Sequence, residues 1–140
     1  MMESSMPIVT WCDDYNVNVE EIDTQHQEML ELVNKLHSSV EACIDKSILK
    51  NLLVELVECT RIHFSTEEQL MEKHDFPERE EHLNEHRILL QHMIDLVAVV
   101  SRGKYPTFYS DYDISTDWAL NHISEFDKSL GAFLNSKDVY

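Results

Sequence analysis

The chain has 140 residues, of which 27 are acidic and 11 basic, giving a formal charge of −16. That length suits one domain around one core, and a field of that sign repels phosphate backbones and anionic membranes, so neither nucleic acid nor a membrane surface is an expected partner. With 43% apolar residues but only 2 glycines and 3 prolines, the composition favours long helices over a sheet with many turns. No apolar run approaches the roughly 20 residues needed to cross a bilayer. The start, Met1 to Pro7, lacks the basic block and apolar stretch of a secretion signal, so a cytoplasmic protein is expected. Cys12, Cys43 and Cys59 are odd in number and form no CxxC. Free, mostly buried thiols in a reducing compartment are the expectation.

Residues 1–19 read as an extended N-terminal arm, with Trp11 as its anchor. A first helix is expected from about Asp23, as cap, to Val40, with Ile22, Met29, Leu30, Val33 and Leu36 on the apolar stripe beside His26. Asp45-Lys46-Ser47 marks a break. The second helix runs from about Ile48 to His74 and carries His63 and Glu67 inward. Phe76-Pro77 separates it from a third, Glu78 to Arg102, that carries His82 and His86. Gly103 supplies a left-handed stop. After a loop over 104–110, a fourth helix is expected from Asp111 to Phe133, with Ile114, Trp118, His122, Phe126, Leu130 and Phe133 inward. Four amphipathic helices with short connections predict an all-α, up-down-up-down antiparallel four-helix bundle, a single domain over 1–140 with the bundle at about 20–134.

The inward polar groups are of one chemical kind. His63 with Glu67 and His82 with His86 are each four apart, which on a helix stacks them one turn above each other on one face. His26, His122 and Asp127 bring the total to five histidines and two carboxylates on four segments. A buried imidazole or carboxylate without a partner costs a few kcal/mol, and a domain's net stability is only about 5–15 kcal/mol. These groups must therefore satisfy one another or hold metal. Imidazole suits iron, zinc, copper or nickel, and carboxylates can bridge two cations. None of the cysteines belongs to the ligand pairs, which argues against an iron–sulfur cluster or structural zinc.

The run His63-Phe64-Ser65-Thr66-Glu67-Glu68-Gln69-Leu70-Met71, then His82-x3-His86, then Trp118-x3-His122-x4-Asp127, with His26 in Asp23-Thr24-Gln25-His26, resembles the hemerythrins, above all the single-domain bacterial ones. The resemblance spans Trp11 to about Leu130 and fills all seven ligand positions. It implies a non-haem di-iron site (Fe2+/Fe3+) with a bridging oxo or hydroxo group. His82, His86 and His122 would fill one iron, His26 and His63 would leave the other an open position, and Glu67 and Asp127 would bridge. Dioxygen in that family binds end-on at the open iron, each iron giving one electron. The implied role is reversible oxygen binding for storage, transport or delivery, not enzyme catalysis. A sensor of oxygen, nitric oxide or redox state acting through an unidentified protein partner, and iron storage or detoxification, are the alternatives; small anions could occupy the same position. The chain has no Glu-x-x-His of the kind on which carboxylate-rich oxygen-activating sites are built.

Three details sharpen these expectations. His122 and Asp127 are five apart, about 140° around an ideal α-helix, so a widened turn between them is expected. Trp118 and Ala119 are expected to line the dioxygen pocket; relatives often carry a leucine at the second position, so alanine should leave more room, and Ala119→Leu should slow autoxidation. His82-Leu83-Asn84-Glu85-His86 also matches H-x-x-E-H, a zinc-peptidase signature with Glu85 as base; that reading leaves the other five donors unexplained. His37 should be a core or end-of-bundle histidine, His74 solvated, and His92 turned away from His86.

Overall fold

The computed structural model describes residues 12–42, 44–103 and 116–140, and only the backbone of 116–121. Trp11 and Cys43 lie outside the described residues. Among the described residues there are four long helical elements and no strand. These are α1 (Glu20–Glu41), α2 (Lys46–Lys73), α3 (Arg79–Ser101) and α4, which is continuous but wound in two ways, as a π-helix over Thr116–Asp127 and an α-helix over Lys128–Ser136. They form the antiparallel four-helix bundle expected from the periodicity.

The arm enters through a single 3-10 turn, Asp13–Tyr15, and buries Val17 and Val19 against the bundle. α1 begins three residues before the expected cap, on Val19. Asp23 lies within the first turn, and its Oδ1 accepts the Val17 backbone N–H at 2.9 Å, tying the arm to the helix. α2 opens on Asp45, whose carboxylate accepts the Ser47 N–H at 2.7 Å, a side-chain cap on an orphan donor.

The turn between α2 and α3 is set before the proline. Asp75 takes the left-handed conformation (φ 55°). Phe76 N–H reaches Met71 O at 2.9 Å and Asp75 N–H reaches Glu72 O at 3.4 Å. That is the Schellman pattern, closed by the apolar pair Phe76 and Met71, with aspartate where glycine is usual. α4 ends the same way, with Asp138 left-handed (φ 61°) and Val139 N–H on Leu134 O. Gly103 stops α3 at φ 81°, as expected.

The interior is layered. A large apolar cluster at one end includes Met29, Leu36, Leu49, Leu53, Leu56 and Met93. A smaller one at the other end joins Val17, Val19, Ile22, Met71, Phe76, Leu130 and Leu134. Along α1 and α2 the polar donors fall between these clusters. Some expected inward positions shift: Phe126 and Phe133 are half-buried, while Ile123 and Leu134 are fully buried. The cysteine expectation is corrected too. Cys12 is exposed and Cys59 half-buried, both free.

Candidate metal centre

All seven expected donors come together in the buried middle layer, each at most 2% exposed. α1 contributes His26, α2 His63 and Glu67, α3 His82 and His86, α4 His122 and Asp127. They divide into two groups whose donor atoms all lie within 4.8 Å of one another: Glu67, His82, His86, His122 and Asp127, and His26, His63, Glu67 and Asp127. Both carboxylates belong to both groups.

The winding of α4 makes this possible. In an α-helix His122 and Asp127 would point apart. The segment Thr116–Asp127 is instead π-wound, and i→i+5 bonding brings residues five apart nearly one above the other. His122 Nε2 is 3.1 Å from Asp127 Oδ1. The widened turn expected from the spacing is present, and among the described residues it extends over Thr116–Asp127 rather than one turn.

Distances within the cluster are short: His26 Nε2 to Asp127 Oδ2 2.8 Å, His86 Nε2 to Glu67 Oε1 2.9 Å, His82 Nε2 to Asp127 Oδ1 3.0 Å, His63 Nε2 to Glu67 Oε2 3.2 Å. Yet Nε2 of His63, His82 and His122, Oε2 of Glu67 and both oxygens of Asp127 lack a hydrogen-bond partner. They stand near one another without the alignment that a shared proton requires. Buried acceptors left in that state cost several kcal/mol together, and a cation between them removes the cost. Nitrogen and carboxylate donors without thiolate suit iron, among other divalent metals. The donor set therefore fits a pair of irons.

Two outer partners fix ring tautomers. Gln25 Nε2 donates to Thr66 Oγ1 at 3.1 Å, whose own hydroxyl donates to Ile62 O. The Gln25 carbonyl is thereby turned to His63 Nδ1 at 2.7 Å. Glu68 Oε2 lies 2.9 Å from His86 Nδ1, and a carboxylate only accepts. Both Nδ1 atoms must carry hydrogen, which makes Nε2 the atom of each ring that would face a cation once its own proton is displaced.

Charge within the cluster is strongly coupled. For His82, burial opposes protonation, but the carboxylates of Asp127 and Glu67 prevail and raise its pKa to about 10. Burial likewise opposes charging of His26 and His86, and their carboxylate partners likewise raise both. Burial dominates at His63, whose pKa falls. Burial and Asp127 push the Glu67 carboxyl up, yet His63 and His82 hold it well below the usual range. Burial is overcome in the same way at Asp127, by His122, His26 and His82. Without a cation, protons occupy the place where positive charge is wanted.

Aromatic rings wall the layer. Phe64 stacks on His86 with centroids 3.7 Å apart, and Phe126 stacks on His122 at 5.6 Å. The side chains of Trp118 and Ala119, the expected dioxygen pocket, lie outside the described residues. His37 is buried beside Glu41 at 3.6 Å. His74, expected in solvent, is half-buried, as is His92. Gln25 and Glu68 had no role in the sequence reading; their only signal there is adjacency to the ligands His26 and Glu67.

Residues 17–134 match the family model described as the hemerythrin HHE cation binding domain. A bacteriohemerythrin of Methylococcus capsulatus is 30% identical over 132 residues, covering 94% of this chain and 100% of its own. A myohemerythrin of Riftia pachyptila is 26% identical over 117 residues, 84% of this chain and 86% of its own. A crystal structure of a hemerythrin with a leucine-to-alanine substitution superposes with a TM-score of 0.81 at 31% identity, covering 92% of this chain and 98% of that one. The chain belongs to the hemerythrin family.

Proposed function

We propose that this protein binds dioxygen reversibly at a pair of irons held by the seven-residue cluster. His82, His86 and His122 would hold one iron, His26 and His63 the other, with Glu67 and Asp127 shared. The pair, when bound, supplies electrons to dioxygen and recovers them on release. The observation that carries this reading is the inequality of the two donor groups, five against four around the same two carboxylates. The group with fewer donors leaves room for an exogenous ligand.

The chain's own residues favour binding over turnover. Neutral imidazoles outnumber carboxylates, so high-valent iron gains little support from the donor set. Phe64, with ring centroids 5.9 Å from His63 and 5.7 Å from His122, helps exclude the water that would deliver protons. We read the whole chain as one hemerythrin-like domain and a binding protein, not an enzyme. No described helix is long and apolar enough to cross a membrane.

The test is gas exchange. The iron-loaded protein is reduced without air, exposed to oxygen and followed for a visible ligand-to-iron charge-transfer band. Flushing with inert gas should abolish the band and re-exposure restore it, with about two irons per chain by metal analysis. Irreversible bleaching would overturn the carrier reading in favour of an oxidase or a redox sensor.

A further inference from the structure

The two histidines with outer partners differ in what holds them. His63, in the four-donor group, donates Nδ1–H to the neutral amide of Gln25. His86, in the five-donor group, donates Nδ1–H to the carboxylate of Glu68, which is 41% exposed and lines a surface cleft between α2 and α3. The geometries are alike, 2.7 Å and 2.9 Å, and the charge is not. An imidazole that donates to a carboxylate gains electron density at its other nitrogen and becomes a stronger donor to a cation. One that donates to an amide gains much less.

We infer that Glu68 and Gln25 are positioning residues that make the two metal positions electronically unequal. Glu68 places a full negative charge behind the five-donor position, which favours ferric iron there. Gln25 keeps the four-donor position, where a ligand would enter, free of that charge. Gln25 is held in its role by Thr66, because an amide reversed to present its NH2 would face the Nδ1–H and lose both bonds. Glu68 is held by its position on α2, one residue past Glu67, so that the two neighbouring carboxylates grip opposite nitrogens of the same His86 ring. Hydrogen bonding and charge outside the ligands are recognised levers on iron potentials.

This inference rests on the iron-pair reading, and the experiment separates the two. Glu68→Gln keeps a hydrogen-bond acceptor and removes the charge; Gln25→Glu adds a charge in the same place behind His63. Iron content is measured first, then the midpoint potential by optical redox titration, and the affinity of the metal-free chain for Co2+ by competition with a chelator. Wild type should hold two irons. Glu68→Gln should move the potential upward and weaken Co2+ about tenfold to a hundredfold, and Gln25→Glu should move the potential downward. Wild type without iron would sink the iron-pair reading and this inference with it. Two irons in all three proteins with unmoved potentials, or potentials moved in the same direction, would overturn the outer-partner assignment alone.

Discussion

Leu53 and Glu67 lie on the same side of α2, about four turns apart, and both are wholly buried. Leu53 belongs to an apolar layer in which every neighbour gains from water's exclusion. Glu67 belongs to a layer of histidines and carboxylates in which exclusion of water costs energy until a cation or protons arrive. The first layer stabilises the bundle whatever is bound. The second makes stability depend on its contents. A bundle of this kind tolerates a functional interior because its apolar clusters flank the donors on both sides.

The contrast is broken most completely at a shared carboxylate. Glu67→Ala removes a donor common to both groups, and metal analysis should find the chain close to iron-free where wild type holds two. Leu53→Ala is the opposite experiment. It should cost about 2–5 kcal/mol in chemical denaturation, equally with and without iron, and leave iron content unchanged. A different cost in the two states would mean that the layers are coupled.

Proton occupancy sharpens the comparison. His82 has a pKa near 10 in the folded, metal-free chain, against about 6.5 unfolded. Its contribution is therefore fully present below pH 6.5 and lost as pH rises towards 10. The carboxyls of Glu67 and Asp127 are depressed, so theirs is present above about pH 4 and lost in acid. Metal-free protein should be a few kcal/mol less stable at pH 9 than at pH 6. The iron-loaded protein should not lose stability over that range, because metal and protons compete for the same nitrogens. Thermal melts of both forms at the two pH values test this, and parallel curves would contradict it.

Much of this was legible in the sequence, and particular residues say why. The pairs His63 and Glu67, and His82 and His86, announce themselves because four-residue spacing translates directly into a shared helix face. His122 and Asp127 were readable only through their misfit, which demanded a widened turn; its extension over Thr116–Asp127 had no local signal. The stop at Asp75 was hidden by Pro77, since aspartate in a left-handed position has no signature as plain as glycine's. Ile123 escapes an α-helical period because it lies in the π-wound segment, whereas Leu134, in the α-wound half, is simply the step of four from Leu130 where a step of three pointed to Phe133. Gln25 and Glu68 gained their roles from tertiary approach alone: their partners are 38 and 18 residues away.

The smallest effect concerns the seam between the arm and α4. Gly131 is buried in the helical half of α4, and a Cβ there would stand 2.8 Å from Val17 Cβ and closer still to the Val17 carbonyl. Backbone cannot yield as a flexible side chain can. Val17 is also held from the other side by Asp23, which accepts its N–H. Gly131→Ala should therefore cost about 1–3 kcal/mol, as overpacking does, despite alanine's higher helix propensity of about 1 kcal/mol. The loss should sit in the smaller apolar cluster, away from Leu53, so the two substitutions should add in a double variant. If Gly131→Ala instead raises the melting temperature, the arm yields freely and is not part of the layer that closes the cage.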